Sequence, residues 1–127
     1  MIIREYNPSS DYEALRLLIQ SEGEEWEDYL NPQYKVALEN SITSVALVDG
    51  ELCGYIRSID DSGVFIWVID LLVHTSQRGK SIGKQLMESL FDTYPDAEVY
   101  VLSDVDPYYE KLGYKREGSV YKVNAAK

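Results

Sequence analysis

The chain has 127 residues, enough for one substantial hydrophobic core but not two, and its 45% apolar content is ordinary for a globular protein. Its formal net charge of −10 makes nucleic acid a poor partner, because phosphate binding needs clustered Lys and Arg. No apolar run approaches the roughly 18 residues of a membrane span, Met1-Ile2-Ile3-Arg4 lacks the pattern of a secretory leader, and the lone Cys53 leaves no internal disulfide, so a single reduced, cytoplasmic domain over residues 1–127 without a membrane partner is expected.

Ile2 to Tyr6 reads as a strand. Pro8-Ser9-Ser10-Asp11 is a helix-start signal, and Leu15, Leu18 and Ile19 follow at helical spacing. The acidic run Glu22-Gly23-Glu24-Glu25-Trp26-Glu27-Asp28 and Asn31-Pro32 interrupt the pattern. A second helix is expected over Gln33 to Glu39. Thr43 to Val48 and Leu52 to Ile59 are strand-like, joined by Asp49-Gly50, a two-residue hairpin signal. After the turn Asp60-Asp61-Ser62-Gly63, a long strand is expected from Val64 to Val73. From Ser81, the residues Ile82, Leu86, Met87, Leu90 and Phe91 fit one broad helical face that Pro95-Asp96 ends.

Glu98 to Leu102 reads as a short strand, parallel to the preceding one because a helical crossover joins them. Asp106-Pro107 reads as an N-cap followed by Pro at the first helical position, and Gly113 as the C-terminal cap of the helix Tyr108 to Leu112. Tyr114 to Arg116 and Ser119 to Val123 are the last strand candidates. The class is α+β: a mixed, mostly antiparallel sheet with helices on both faces.

The segment between the long strand and its helix carries the most chemistry. A buried strand feeding a Gly-containing turn and a helix is a place to hold phosphate, because the turn offers free N–H groups. Gly79-Lys80-Ser81 resembles the end of a nucleotide-binding Gly-rich loop, but His74 stands where that motif needs Gly. A dinucleotide G-x-G-x-x-G fingerprint is absent. Arg78-Gly79-Lys80-Ser81-Ile82-Gly83 instead resembles the Arg/Gln-x-x-Gly-x-Gly/Ala turn of the GNAT N-acetyltransferase superfamily. Ile69-Asp70-Leu71-Leu72-Val73 resembles that family's fourth strand. Tyr108-Tyr109-Glu110-Lys111-Leu112-Gly113-Tyr114 resembles its aromatic-Tyr-x-x-x-Gly-aromatic helix. Between Gly63 and Tyr114 the resemblance rests on motifs; the N-terminal third matches in element order alone.

The resemblance implies a GNAT fold with splayed central strands and acetyl-CoA as acyl donor. The amides of Gly79, Lys80, Ser81, Ile82, Gly83 and Lys84 would wrap the pyrophosphate, with Arg78 beside them. The backbone of Leu71, Leu72 and Val73 would bond the pantetheine arm. Two positions depart from the family: Ser81 replaces a Gly, and Thr75 stands where Pro is common. Ser81 keeps its N–H, and its hydroxyl offers a further phosphate contact.

Acetyl transfer to an amine needs a neutral amine, because a lysine-like ammonium has a pKa near 10.4, and a proton for the departing thiolate. Tyr109 matches the family's tyrosine, placed to protonate that sulfur; the alternative is a packing aromatic, the role expected of Tyr108 and Tyr114. Asp70, in an apolar strand, is the candidate base acting through water, or a structural carboxylate bonded to backbone or a nearby Tyr. His74 reads as a solvated loop residue and Cys53 as an inert core thiol. Glu24, Glu25 and Glu27 are candidates for holding a cationic substrate. One His and one Cys argue against a structural zinc site, and no metal is expected.

The expected activity is direct acetyl transfer to a small-molecule or peptide amine in a ternary complex, by a monomer or homodimer. The alternative is a GNAT-fold module that senses acyl-CoA or binds a partner without turnover.

Overall fold

The computed structural model describes residues 1–126. Strand β1 (Ile2–Glu5) leads into helix α1 (Pro8–Gln20), a 310 segment (Glu24–Leu30) and helix α2 (Pro32–Glu39). Three long strands follow, β2 (Ile42–Val48), β3 (Glu51–Asp61) and β4 (Phe65–Val73). A 310 turn (Thr75–Gln77), helices α3 (Ile82–Glu88) and α4 (Leu90–Thr93), strand β5 (Glu98–Val101) and helix α5 (Asp106–Lys111) complete the order. The sheet runs β1-β2-β3-β4-β5, antiparallel except for the parallel β4–β5 pair. The expected α+β architecture is therefore what the chain adopts.

Helices cover both faces, each over its own core. On one face Leu15, Leu18 and Ile19 of α1 and Leu38 of α2 pack on Val45, Tyr55 and Leu72. On the other, Ile82, Leu86 and Met87 of α3 pack with Leu90 on Ala46, Ile56, Ile66 and Val68. The β2–β3 turn follows its chemistry: Asp49 and Gly50 have φ of 52° and 80°, the left-handed pair that a tight hairpin needs.

Two register shifts decide which residues face which helices. Leu47 opposes Leu52 while Ala46 opposes Gly54, leaving Cys53 as an extra residue in β3. Ser58 opposes Val68 while Arg57 opposes Asp70, leaving Ile69 as an extra residue in β4. A bulge of this kind reverses the side-chain alternation beyond it. Asp70 and Leu72 thereby turn toward α1 and α2, although Ile66 and Val68 face α3.

Helix α1 does start at the expected signal, at Pro8, with Asn7 as its cap, the Asn7 side chain accepting from the Ser9 N–H at 3.0 Å. The structure corrects several other expectations. Val105 flanks α5 and Asp106 is its first residue; the Asp106 carboxylate accepts from the Ser103 hydroxyl at 2.8 Å and does not cap. Phe91 is not on the buried face but 43% exposed. At about 100° per residue it falls roughly half a turn away from Ile82, and the helix is broken at Ser89. Residues 114–126 form no strand, and Val120, Tyr121 and Val123 are strongly exposed. β-branched and aromatic residues favour strands only where a neighbouring strand supplies a ladder, and that segment pairs with none.

Candidate active site

β4 and β5 pair only from Phe65 opposite Glu98 to Val68 opposite Val101. One more bond, Leu102 N–H to the Val68 carbonyl at 2.9 Å, closes the paired stretch. Beyond it β4 continues to Val73 without β5, so the two strands part and leave an open edge. The His74 N–H donates to the Cys53 carbonyl at 2.7 Å and so points toward β3. Because backbone groups alternate along a strand, those of Leu72 also point to β3, while those of Leu71 and Val73 face the open side. The Val73 carbonyl there already accepts from Arg78 Nε at 2.9 Å.

The turn after β4 is built from short local bonds. Gln77 N–H donates to the His74 carbonyl at 2.9 Å, and the His74 ring accepts from the Ser76 N–H at 3.1 Å. His74 thus folds the loop onto itself. Gly79 and Ser81 then take φ of 81° and 64°, and α3 starts at Ile82. Among the described residues, no backbone N–H from Gly79 through Lys84 has a protein acceptor; the next bond is Gln85 N–H to the Ser81 carbonyl at 3.0 Å. Lys80 Nζ donates to Gln77 Oε1 at 3.0 Å, and Arg78 Nη2 reaches Glu22 Oε1 at 2.6 Å.

Helix α5 lies against this turn. Burial, with the nearby Tyr108, Asp104 and Tyr114, pushes the Tyr109 phenol up to about 12. Tyr109 packs against the core beneath α3 and meets Tyr108 edge-on at 5.0 Å between centroids. Tyr108, expected to be a packing residue away from the site, is 39% exposed. Its hydroxyl sits where a Cβ on Gly83 would go. That approach joins distant stretches of chain and has no signature in local spacing.

Asp70 is buried on the opposite face, within a polar network. Its Oδ2 accepts from Arg57 Nε and from Tyr34 Oη, both at 2.7 Å. Tyr34 and Tyr55 share a hydroxyl–hydroxyl bond of 2.7 Å, and Arg57 Nη1 donates to Ser41 Oγ at 3.1 Å. Burial raises the Tyr34 and Tyr55 phenols, with the Asp70 charge adding to both. For Arg57, burial, the largest single influence, would lower the guanidinium; the bond to Asp70, the Asp70 charge and Tyr34 together outweigh it and leave the group raised. Sequence reasoning missed Arg57, Tyr34 and Tyr55. A signal existed: Arg57 interrupts an apolar strand, as Asp70 does, and unpaired charges there would be costly.

Glu24 to Asp28 of the acidic run lie in the 310 segment, at the edge of an open cleft of about 350 Å³. Glu25, Asp28, Tyr29, Gln33 and Tyr34 line it; Glu24 and Glu27 do not. Trp26 meets Tyr29 at a tilt and Tyr29 meets Tyr34 edge-on, each pair with ring centroids 4.9 Å apart. Tyr34 therefore joins this cleft to Asp70. Cys53 is buried, which raises its thiol. Among the described residues no group of three or more His, Cys, Asp or Glu is placed to hold a metal.

A parallel β4–β5 pair that parts beside a turn of unpartnered amides defines a GNAT-type fold. Residues 39–116 match the family model described as an acetyltransferase (GNAT) domain, and the chain belongs to this family. It is similar to the uncharacterized N-acetyltransferase ycf52 of Pyropia yezoensis, 27% identical over 93 residues that cover 65% of this chain and 53% of that protein. The chain thus spans about half the length of the curated relatives it matches. Among solved structures, a GNAT-family acetyltransferase from Streptococcus pneumoniae TIGR4 superposes with a TM-score of 0.74 at 22% identity, covering 98% of each chain. Aminoglycoside 6′-acetyltransferase type Ii also gives 0.74, at 26% identity over 93% of this chain and 85% of that one. A ribosomal-protein-alanine N-acetyltransferase from Brucella melitensis biovar Abortus 2308 gives 0.71 at 23% identity, covering 100% of both.

Proposed function

We propose that this protein is an N-acetyltransferase that moves an acetyl group from acetyl-CoA to a primary amine by direct transfer in a ternary complex. The observation that carries the reading is the run of unpartnered amides from Gly79 to Lys84, set beside the open edge of β4. A diphosphate fits such a run, since hydrogen bonds to a charged group contribute roughly 1.5–3 kcal/mol each. Arg78, Lys80 and Lys84 add local positive charge on a chain that is negative overall.

The Leu71 amide and carbonyl and the Val73 amide would bond the pantetheine arm; Leu72 contributes its side chain to the core and its backbone to β3. Acetyl-CoA, when bound, supplies the activated thioester. Tyr109, its phenol kept protonated by burial, would hand a proton to the departing sulfur. Asp70 serves this reading as an anchor: its carboxylate is engaged by Arg57 and Tyr34, and it fixes Tyr34 at the wall of the acceptor cleft. Glu25 and Asp28 would attract a cationic amine.

The test is calorimetric titration of CoA, followed by thiol release from acetyl-CoA with a panel of amines: polyamines, aminoglycosides, amino acids and peptide N-termini. Binding in the micromolar range and release with at least one amine are expected. No heat on titration into folded protein would end the reading. Tight CoA binding without thiol release for any amine would make the protein a binding module.

A further inference from the structure

Glu22 lies just past α1, where its N–H donates to the Ile19 carbonyl at 3.0 Å, and just before the 310 segment that borders the acidic cleft. Its side chain is 14% exposed, far from the solvated state usual for a loop glutamate. Its partner is Arg78, 56 residues away, at 2.6 Å. The same guanidinium donates through Nε to the Val73 carbonyl on the open edge of β4.

A guanidinium is a rigid planar fork, so two anchors fix its orientation and leave its remaining N–H groups aimed. The anchors here come from two distant parts of the chain: the end of β4 and the loop after α1. Were Arg78 to leave, Glu22 would be left as a largely enclosed carboxylate without its cation, which is costly. The pair therefore persists when an anion arrives.

We infer that Glu22 is a positioning residue for the cofactor turn: it holds Arg78 in place for the diphosphate and ties the acceptor-side loop to the cofactor side. This rests on the CoA reading given above. Glu22 touches neither reacting group in this assignment and acts through Arg78. The loop that carries Glu25 and Asp28 is then held by the same ion pair that orients the phosphate-side cation.

The test is a double-mutant cycle read by calorimetry with CoA as the probe. Glu22→Ala and Arg78→Ala should each weaken CoA binding about five- to tenfold, and the double variant should be little worse than either, as for residues acting as one unit. Glu22→Gln keeps an acceptor at the same place and should stay within about threefold of the wild type. Glu13→Ala, which removes the exposed α1 pair with Arg16, should leave CoA affinity unchanged. A merely structural Glu22 would lower the melting temperature of Glu22→Ala without altering affinity in the folded protein, and that overturns the inference. So would tighter binding by Glu22→Ala, which would make Glu22 a competitor for Arg78, or strictly additive losses in the cycle. Should Glu22→Ala not fold, affinity in Glu22→Gln reduced more than tenfold would equally overturn it. If the wild type itself binds no CoA, the functional reading falls first and this inference with it.

Discussion

Ser81 takes φ of 64°, a left-handed conformation at a residue that carries a Cβ. That conformation costs an L-residue roughly 1–2 kcal/mol, against the roughly 0.5–1 kcal/mol of chain entropy that a glycine loses. Ser81→Gly should therefore stabilise the protein by about 0.5–1 kcal/mol, seen as a higher midpoint in urea unfolding. An unchanged or lower midpoint would show that the Ser81 side chain makes up for its backbone.

Two residues farther on, Gly83 leaves room for the Tyr108 hydroxyl, so any side chain there must displace that ring. Gly83→Asp also adds negative charge at the phosphate turn and should abolish CoA binding in calorimetry while the far-UV spectrum is kept. Tyr109→Phe should keep CoA binding and lower turnover by about 10²–10⁴-fold, the range for losing a general acid. The Tyr109 phenol, pushed up to about 12, stays protonated through the neutral and mildly alkaline range. Turnover should then rise with pH as the acceptor amine deprotonates and show no fall between pH 8 and about 10. A descending limb in that window that disappears in Tyr109→Phe would contradict the assignment.

At the scale of elements, the bulge at Ile69 turns Asp70 from the α3 face to the α1–α2 face, where Arg57 and Tyr34 meet it. Breaking such a pair by removing one charge leaves the other enclosed, typically at about 3–5 kcal/mol. Asp70→Asn should therefore lower stability by an amount in that range, together with acceptor affinity. A variant that melts like the wild type but loses turnover alone would restore Asp70 as a base.

Helix α1 has a separate electrostatic tie. Arg4 on β1 donates through both terminal nitrogens to Asp11, at 2.7 and 2.8 Å, and the Asn7 N–H donates to the same carboxylate. The bond from Arg4, aided by Asn7, holds the Asp11 carboxyl below its ordinary value. A carboxyl lowered on folding adds stability that is full above its unfolded value near 3.9 and is lost as pH falls through the folded one. Acid unfolding should accordingly begin below about pH 4, and Asp11→Asn should flatten that part of the stability curve.

At the scale of the whole molecule, a charge of −10 would favour a cationic acceptor, and Arg78, Lys80 and Lys84 would offset its repulsion of anionic CoA at the turn after β4. Salt screens both effects. The KM for a polycationic amine should rise several-fold between low and high ionic strength, while that for a neutral or anionic amine should not; equal responses would leave the cleft without an electrostatic role.

The alternation of apolar and turn residues was enough to place α1, α2, α5 and the strands β1 to β5, but it ran α3 and α4 together as one helix and read the 310 segment Glu24–Leu30 as an interruption. Periodicity and turn chemistry act locally and leave marks in the order of residues. The turn between β4 and α3 was legible for the same reason, since its geometry depends on neighbours in the chain. The C-terminal segment was misread because strand propensity speaks of suitability and a ladder needs a partner. The parting of β4 from β5 was expected from the family resemblance, whereas the Asp70–Arg57–Tyr34 network, the seat of Tyr108 on Gly83 and the Glu22–Arg78 pair came only from tertiary structure. Each joins residues far apart in the chain, and the register shift that turns Asp70 toward α1 and α2 depends on how β3 and β4 pair. Sequence order thus determined the elements and the family to which they belong; packing decided which polar groups face each other, because that depends on distances no local pattern encodes.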